Sequence, residues 1–489
     1  MHAEPLPAVK PDDSGRPWYK ELNRYHWFVL AVASLGWMFD TMDQQLFNIA
    51  RRPAMRALVP REPGAEPDKN EITAASGYTT AVFLIGWGTG GLIFGILGDL
   101  IGRAKSMMIT ILVYSVFTGL SALSTGVWDF ALYRFLTGLG VGGEFAVGVS
   151  LVAEVMPDRA RPFALGLLQA LSAVGNITAA VMGIVLAFLA RAEVIGESWR
   201  LMFVVGAGPA LLAAFVFWFL KEPERWRQVA AQYTLGERLR SYFGELFRNP
   251  RWSKNALIGL LLAASGIIGL WGIGFFSIDL QRNIFRGRLE ANQAASPADL
   301  AFYESLLVQC RLLPEPGLTL SSSDMTFYED VWASVTSVVL NVGAFFGIYA
   351  FSRVTHRVGR RPAFAVSFVL AMLSTAFVFW RLQSIGDIFW MIPIMGFCQL
   401  ALFGGYAIYF PELFPTRLRS TGTSFCYNIA RFVAAAGPTM LGVLSRDVFG
   451  HHPQPQPLRY AGITMCAVFL LGLAVLPFAP ETKGQPLPE

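Results

Sequence analysis

The sequence predicts an all-α membrane protein with twelve transmembrane helices in two pseudo-symmetric six-helix bundles and both termini cytoplasmic. Three observations carry that expectation. Apolar runs long enough to cross a bilayer recur about twelve times along the chain. Charged residues make up 15% of the 489 and hydrophobic ones 54%, with a mean hydropathy of +0.46, whereas soluble domains are about 25% charged. Short motifs of the first half also return in the second. So large an apolar surplus has no soluble core to enter, and lipid must cover it.

The elements follow in chain order. Residues 1–25 are Pro-rich and charged and lack an apolar run, so they form a cytoplasmic tail and not a secretory signal. Span 1 covers 26–50. Spans 2 (75–97) and 3 (106–125) flank a tight basic loop, span 4 (128–155) carries Arg134 and Glu144 in its interior, span 5 (160–190) follows Arg159, and span 6 (199–220) closes the first bundle, 26–220. Backbone polar groups cannot stay unpaired in hydrocarbon, so each span must be helical. Residues 221–253 interrupt the pattern. There Leu235, Leu239, Tyr242, Phe243, Leu246 and Phe247 recur at helical spacing among Arg238, Arg240 and Glu245, which reads as an amphipathic linker on the cytoplasmic face. Spans 7 to 12 lie at 254–280, 331–352, 363–382, 386–410, 421–445 and 459–479. Together they form the second bundle, 254–479, with a long periplasmic loop at 281–330 and a cytoplasmic tail at 480–489.

Basic residues set the orientation: about 23 Lys and Arg fall on the side of the N-terminus and about 14 on the other. Arg103 and Lys105, Arg159 and Arg161, Arg353 to Arg361, and Arg417 and Arg419 all lie in short loops of that side. The same bias accounts for the net charge of +5 and the pI near 9.0, so no nucleic-acid partner is expected. The four cysteines show no metal-ligand spacing, and no cofactor is expected. The surroundings implied are a lipid bilayer, an inner (plasma) membrane crossed many times, with the chain working as a monomer.

Gly102-Arg103 recurs 257 residues later as Gly359-Arg360, and Glu154-Val-Met-Pro157 recurs 258 residues later as Glu412-Leu-Phe-Pro415. That is one duplicated unit, which implies a pseudo-two-fold axis with a central site between the halves.

These motifs resemble those of the major facilitator superfamily over nearly the full length. Gly95-Ile-Leu97-Gly-Asp99-Leu-Ile-Gly102-Arg103-Ala-Lys105 is similar to that family's loop between helices 2 and 3. The second copy, Arg353-Val-Thr-His356-Arg357-Val-Gly359-Arg360-Arg361, has His356 where an Asp is usual, which implies a weaker gate in the second half. An Asp at a helix end facing Arg and Lys can latch two halves together; plain positive-inside loop charge is the other reading. By the same resemblance Glu154, Arg161, Arg357, Arg360, Glu412 and Arg419 belong with Asp99, Gly102 and Arg103 as gating residues. Tyr133-Arg134-Phe-Leu-Thr-Gly138-Leu-Gly140-Val-Gly142-Gly143-Glu144, Pro411-Glu412-Leu-Phe-Pro415-Thr-Arg417-Leu-Arg419 and Pro480-Glu-Thr-Lys-Gly484 resemble the sugar, metabolite and organic-ion branch. The glycines also fit GxGxxG, yet they sit inside an apolar span without the βαβ setting a dinucleotide needs, so they read as close helix packing. No nucleophile–base set appears, and an enzyme is not expected.

Ionisable residues inside spans mark substrate or proton pathways. At 1.5 Å per residue, Asp40 lies about 21 Å from the cytoplasmic end of span 1, and Arg134 about 9 Å from the outer end of span 4, so the two can share one level. Sugar/proton symporters of the family carry an Asp and an Arg at these places, which implies Asp40 and Arg134 as the proton-coupling pair; a static ion pair is the alternative. Asp43 lies on nearly the same face, or else near the outer mouth. Glu144, about 24 Å in from outside, is a second proton station or a cap on loop arginines. Arg431, about 15 Å into span 11, suits a carboxylate or pairs internally with Asp40 or Asp43. With Asn428, Trp37 and Trp271 it makes the candidate substrate site. Gln169 matches a sugar-facing Gln of the family, but span 7 lacks the Gln pair of sugar carriers, and span 10 has Leu402 and Ala407 where they place tryptophans. The function expected is proton-coupled symport of a small organic anion, a monocarboxylate or aromatic acid. The alternatives are a sugar or polyol symporter, a proton-antiport exporter and a non-transporting sensor.

Overall fold

The computed structural model describes residues 17–60, 69–192, 198–209, 219–232, 245–274, 276–292, 307–308, 310, 312–315, 320–434, 436–453 and 455–488. All regular structure among them is helical. In order come α1 (Arg24–Leu58), α2 (Lys69–Leu100), α3 (Arg103–Ser121), α4 (Val127–Val155), α5 (Arg161–Arg191), α6 (Ser198–Gly206) and α7 (Glu224–Gln232). The second half has α8 (Pro250–Ile267), α9 (Phe276–Asn292), α10 (Ser322–Val358), α11 (Arg360–Arg381), α12 (Ile385–Leu413), α13 (Arg419–Ser424), α14 (Ala430–Ala434), α15 (Ala436–Val443), α16 (Gln456–Met465) and α17 (Val468–Val475).

Nine helical stretches among the described residues are long and apolar enough to cross a membrane, three fewer than expected: spans 1, 6 and 11 are not among them. α1 is one continuous helix, but Asp40, Asp43, Gln44 and Gln45 lower the hydropathy of its middle. Most of span 6, and residues 233–244 of the linker with Leu235, Arg238, Leu239, Arg240, Tyr242 and Phe243, lie outside the described residues. Span 11 is divided by a π-helical stretch at Phe425–Ile429, and a second follows at Leu444–Val448. Span 7 also differs: after a π stretch at Ile268–Gly274 its helix resumes as α9, well into the segment read as loop.

Helix starts are fixed by side chains. Asn23 and His26 form a capping box on α1, Ser321 and Asp324 on α10, and Ser384 and Asp387 on α12, each satisfying amides that the first turn leaves without partners. Gly102 and Gly359 begin α3 and α11 with φ of 119° and 103°, a region that favours glycine. Within the first half α2 packs on α4, α3 on α4 and α1 on α5; within the second, α10 and α11 pack on α12. The glycines of α4 account for the closeness, since a side chain on Gly138 or Gly142 would collide with the backbone of α2 at Phe83 or Trp87. The halves meet along two seams, α5 with α10 and α2 with α13.

Candidate functional site

Ionisable side chains gather in two places, near the middle of the helices and at the end bearing the Gly102 and Gly359 turns. In the middle, Asp40 is fully buried and neither carboxyl oxygen has a hydrogen-bond partner; the amide of Gln44, one turn on, comes near without completing a bond of normal geometry. Glu144 and Arg431 are both within electrostatic reach of Asp40. Glu144 accepts from Thr110 Oγ1 at 2.7 Å, while its Oε1 has no partner and abuts Gly36 of α1, where any side chain would collide with it. The reading of Glu144 as a cap on loop arginines does not hold: its partner is a threonine inside the bundle.

The ion pair formed is not the one expected. Arg134 contacts Asp43, not Asp40, with Nη1 to Oδ2 at 3.5 Å. Its Nε and Nη2 bond Ser121 Oγ at 3.0 and 2.8 Å, Nη2 bonds Thr118 at 3.2 Å, and Thr118 donates to Asp43 at 2.7 Å. Both ion-pair members are fully buried, so Asp43 is not a residue of the mouth. Three residues along the helix explain the exchange: Arg134 points toward α3 and the ring of Phe203, 4.7 Å from its centroid, and Asp43 is the acid of α1 that faces there.

Arg431 is held chiefly by rings. Its guanidinium carbon lies 3.7 Å from the centroid of Trp87 in α2 and 4.2 Å from that of Tyr427. Nη1 donates to Asn428 Oδ1 at 3.1 Å, and Nε has no partner. Among the described residues no carboxylate comes within 4 Å of it, so the alternative of a contact ion pair with Asp40 or Asp43 is not realised. Asn428 is anchored on Ser424 Oγ at 2.9 Å and reaches Gly142 O of α4 at 3.5 Å. Trp271, in the π stretch after α8, meets Trp87 edge-on at 6.0 Å. Trp37 packs on Phe145 at 5.0 Å, and Phe145 stacks on Tyr427 at 4.0 Å. Rings from both halves thus enclose one guanidinium next to one unpartnered carboxyl. Gln169 is buried, and its Oε1 has no partner.

At the other end, Asp99 binds Arg103 at 2.8 Å and accepts across the seam from the amides of Ser420 (3.2 Å) and Thr421 (2.8 Å) and from Thr421 Oγ1 (2.7 Å). Arg103 donates across to Thr416 O at 2.7 Å, and Glu154 bridges Arg103 and Arg419 at 2.9 Å each. In the second half Arg360 grips Glu412 at 2.7 and 3.0 Å. Arg161 donates to Ala153 O at 2.9 Å, as Arg419 does to Pro411 O at 3.1 Å, so the duplication extends to single hydrogen bonds. Glu222 caps the amides of Ala104 and Lys105, and Glu481 those of Arg360 and Arg361. Arg357 stands apart: its side chain is exposed, and its carbonyl accepts from Lys483 at 2.6 Å. The linker's end docks on the second half, with Leu246 buried, Phe247 5.3 Å from Phe425 and Glu245 bonded to Arg417.

Trp87, Tyr427 and Phe145 were not legible as site residues. An apolar span offers many aromatic positions. Tyr427 had one available signal, its place one turn before Arg431.

Residues 32–239 match the family described as "Sugar (and other) transporter". A Haemophilus influenzae protein named for metabolite transport is 28% identical over 473 residues, 96% of this chain and 99% of the relative. The cis,cis-muconate transport protein of Acinetobacter baylyi is 27% identical over 379 residues, 77% of this chain and 80% of its own length. Among solved structures, the proton:xylose symporter XylE aligns with a TM-score of 0.65 at 16% identity, covering 95% of this chain and 98% of that one.

Proposed function

We propose that this chain is a transporter of the major facilitator superfamily, from the branch of sugar and other metabolite carriers, and that it moves a small organic anion together with protons. The mechanism is alternating access of two six-helix bundles, twelve spans in all, set in the inner (plasma) membrane with both ends cytoplasmic. The relatives are named for transport, which supports transport rather than catalysis as the activity.

The observation that carries the anionic substrate is Arg431, a guanidinium held against the rings of Trp87 and Tyr427 with no contact carboxylate among the described residues. A permanent charge kept from water is costly unless an anion joins it, and the surrounding rings suit a flat or apolar acid. The muconate carrier among the relatives supports a carboxylate cargo. Asp40 carries the coupled proton. A carboxyl stripped of donors binds or releases its proton according to whether water and the substrate's charge reach it, which is what coupling requires. Glu144 is the second station. Arg134 with Asp43 fixes the floor of the proton site, and Asp99, Arg103, Glu154 and Arg419 latch the cytoplasmic gate.

The test is binding of cis,cis-muconate and benzoate to purified protein. Charge-assisted hydrogen bonds contribute about 1.5–3 kcal/mol, so Arg431→Gln is expected to weaken acid binding by roughly 10- to 150-fold. The buried Gln169 Oε1, which has no hydrogen-bond partner, favours one second reading, a polyol cargo. That reading predicts xylose binding that survives Arg431→Gln.

A further inference from the structure

The two seams at the cytoplasmic end are duplicated in sequence but closed by unlike chemistry. On the first, Asp99 accepts from the amides of Ser420 and Thr421. Applying the offsets that relate the halves, 257 from motif to motif and 258 from Glu154 to Glu412, the counterpart of Asp99 is His356, and those of Ser420 and Thr421 are Pro162 and Phe163. Acid and receiving group have changed together: proline has no N–H to donate, and an imidazole faces a ring where a carboxylate faced a hydroxyl. His356 and Phe163 are 5.1 Å apart across this seam. The cations Arg159, Arg357, Arg360 and Lys483 lie within electrostatic reach of His356.

A third layer comes from outside the bundles. The N-terminal 3₁₀ turn Trp18–Glu21 lies against this seam. Trp18 stacks on Phe163 at 5.7 Å with an interplanar angle of 9°, and Glu21 pairs with Arg159 at 2.9 Å. The turn therefore supplies both a backing for the ring and an acid beside a cationic loop. One step deeper, Gly166 of α5 abuts Ser352 of α10, the reverse of Gly95 of α2 against Ser424 on the first seam.

We propose that the inner gate joins two unlike seams: an ionic one at Asp99, and an aromatic one in which Phe163, positioned by Trp18 of the N-terminal segment, closes on His356. This rests on the alternating-access reading given above. Phe163 is the closing residue, and Trp18 is a positioning residue that acts through it.

The experiment reads opening of the aromatic seam directly. Ser352→Cys is placed in full-length protein whose native cysteines are replaced by serine, and its labelling by N-ethylmaleimide is timed in proteoliposomes. Stacked aromatic pairs are worth enough to shift a two-state gate by about three- to tenfold. Labelling is expected to quicken about threefold in Trp18→Ala and about tenfold in Phe163→Ala, with Trp18→Phe near the parent rate. Asp99→Asn is the comparison, since it loosens the ionic seam. If Asp99→Asn quickens labelling while Trp18→Ala and Phe163→Ala stay at the parent rate, the aromatic seam is wrong and rocking stands. If none of the three quickens it, both readings fall. If Trp18→Phe labels as fast as Trp18→Ala, the ring stack is not the cause, and the proposal fails.

Discussion

Glu154→Gln is the perturbation whose effect follows most directly from the geometry. The Glu154 side chain is fully buried, and one oxygen bridges two buried guanidiniums, Arg103 of its own half and Arg419 of the other, at 2.9 Å each. Removing one partner of a buried pair costs about 3–5 kcal/mol. Here the loss is smaller. Arg103 keeps Asp99 and the Thr416 carbonyl, Arg419 keeps the Pro411 and Pro488 carbonyls, and glutamine retains one acceptor. In the proposed alternating-access cycle the contact to Arg419 exists only while the seam is shut, so a loss of about 2 kcal/mol falls on the closed form alone and raises the open population about 30-fold. The readout is hydrogen exchange at the amides of Ser420 and Thr421, which Asp99 protects across the seam; exchange there should quicken by the same factor. Glu412→Gln is the internal control. It breaks the same chemistry with Arg360 inside one half, so it should lower the melting temperature without changing exchange at Ser420 and Thr421. Equal effects of the two substitutions on that exchange would refute the assignment of Glu154 as a bridge between halves.

Two other expectations concern stability. Arg134→Ala leaves Asp43 buried without its ion-pair partner and should cost about 3–5 kcal/mol, read as a lower melting temperature in detergent, whereas Asp43→Asn with Arg134→Gln together should recover part of it; an unchanged melt in the single variant would contradict the pairing. Burial alone would raise the Glu481 carboxyl, but the amides of Arg360, Arg361 and Lys483 hold it below its ordinary value. Its contribution is therefore present above the ordinary carboxylate range and lost as pH falls through the lowered value. Being exposed, it is worth about 1 kcal/mol or less, so Glu481→Gln should melt slightly earlier near pH 7, with the gap closing below about pH 4; a gap that widens on acidification would reverse the sign.

What the sequence made legible was whatever periodicity and repetition encode. Long apolar runs have to be helices, and Gly102-Arg103 with Gly359-Arg360 marked two turns that the structure places at equivalent ends with the same backbone conformation. Glu154, Glu412, Arg161 and Arg419 are found in matching bonds for the same reason. The pairing in the middle was not legible, because Asp40 and Asp43 are separated by less than a helical turn and depth along the axis cannot say which of them faces α3. The π stretches at Ile268–Gly274 and Phe425–Ile429 were equally hidden: one residue inserted into a helix changes no hydropathy, yet the first stretch holds Trp271 against Trp87 and the second holds Tyr427 and Asn428 against Arg431. Trp87 itself belongs to the first half and Arg431 to the second, and no local pattern links residues so distant in the chain.

The central claim is that an anion and a proton move together, with Asp40 as the proton's carrier. Its most direct measurement is uphill accumulation of cis,cis-muconate or benzoate by proteoliposomes under an imposed pH gradient, parent against Asp40→Asn, with counterflow exchange measured beside it. The account predicts that the parent accumulates acid when the outside is acidified, and that the variant loses accumulation but still exchanges. Accumulation by Asp40→Asn equal to that of the parent would contradict it.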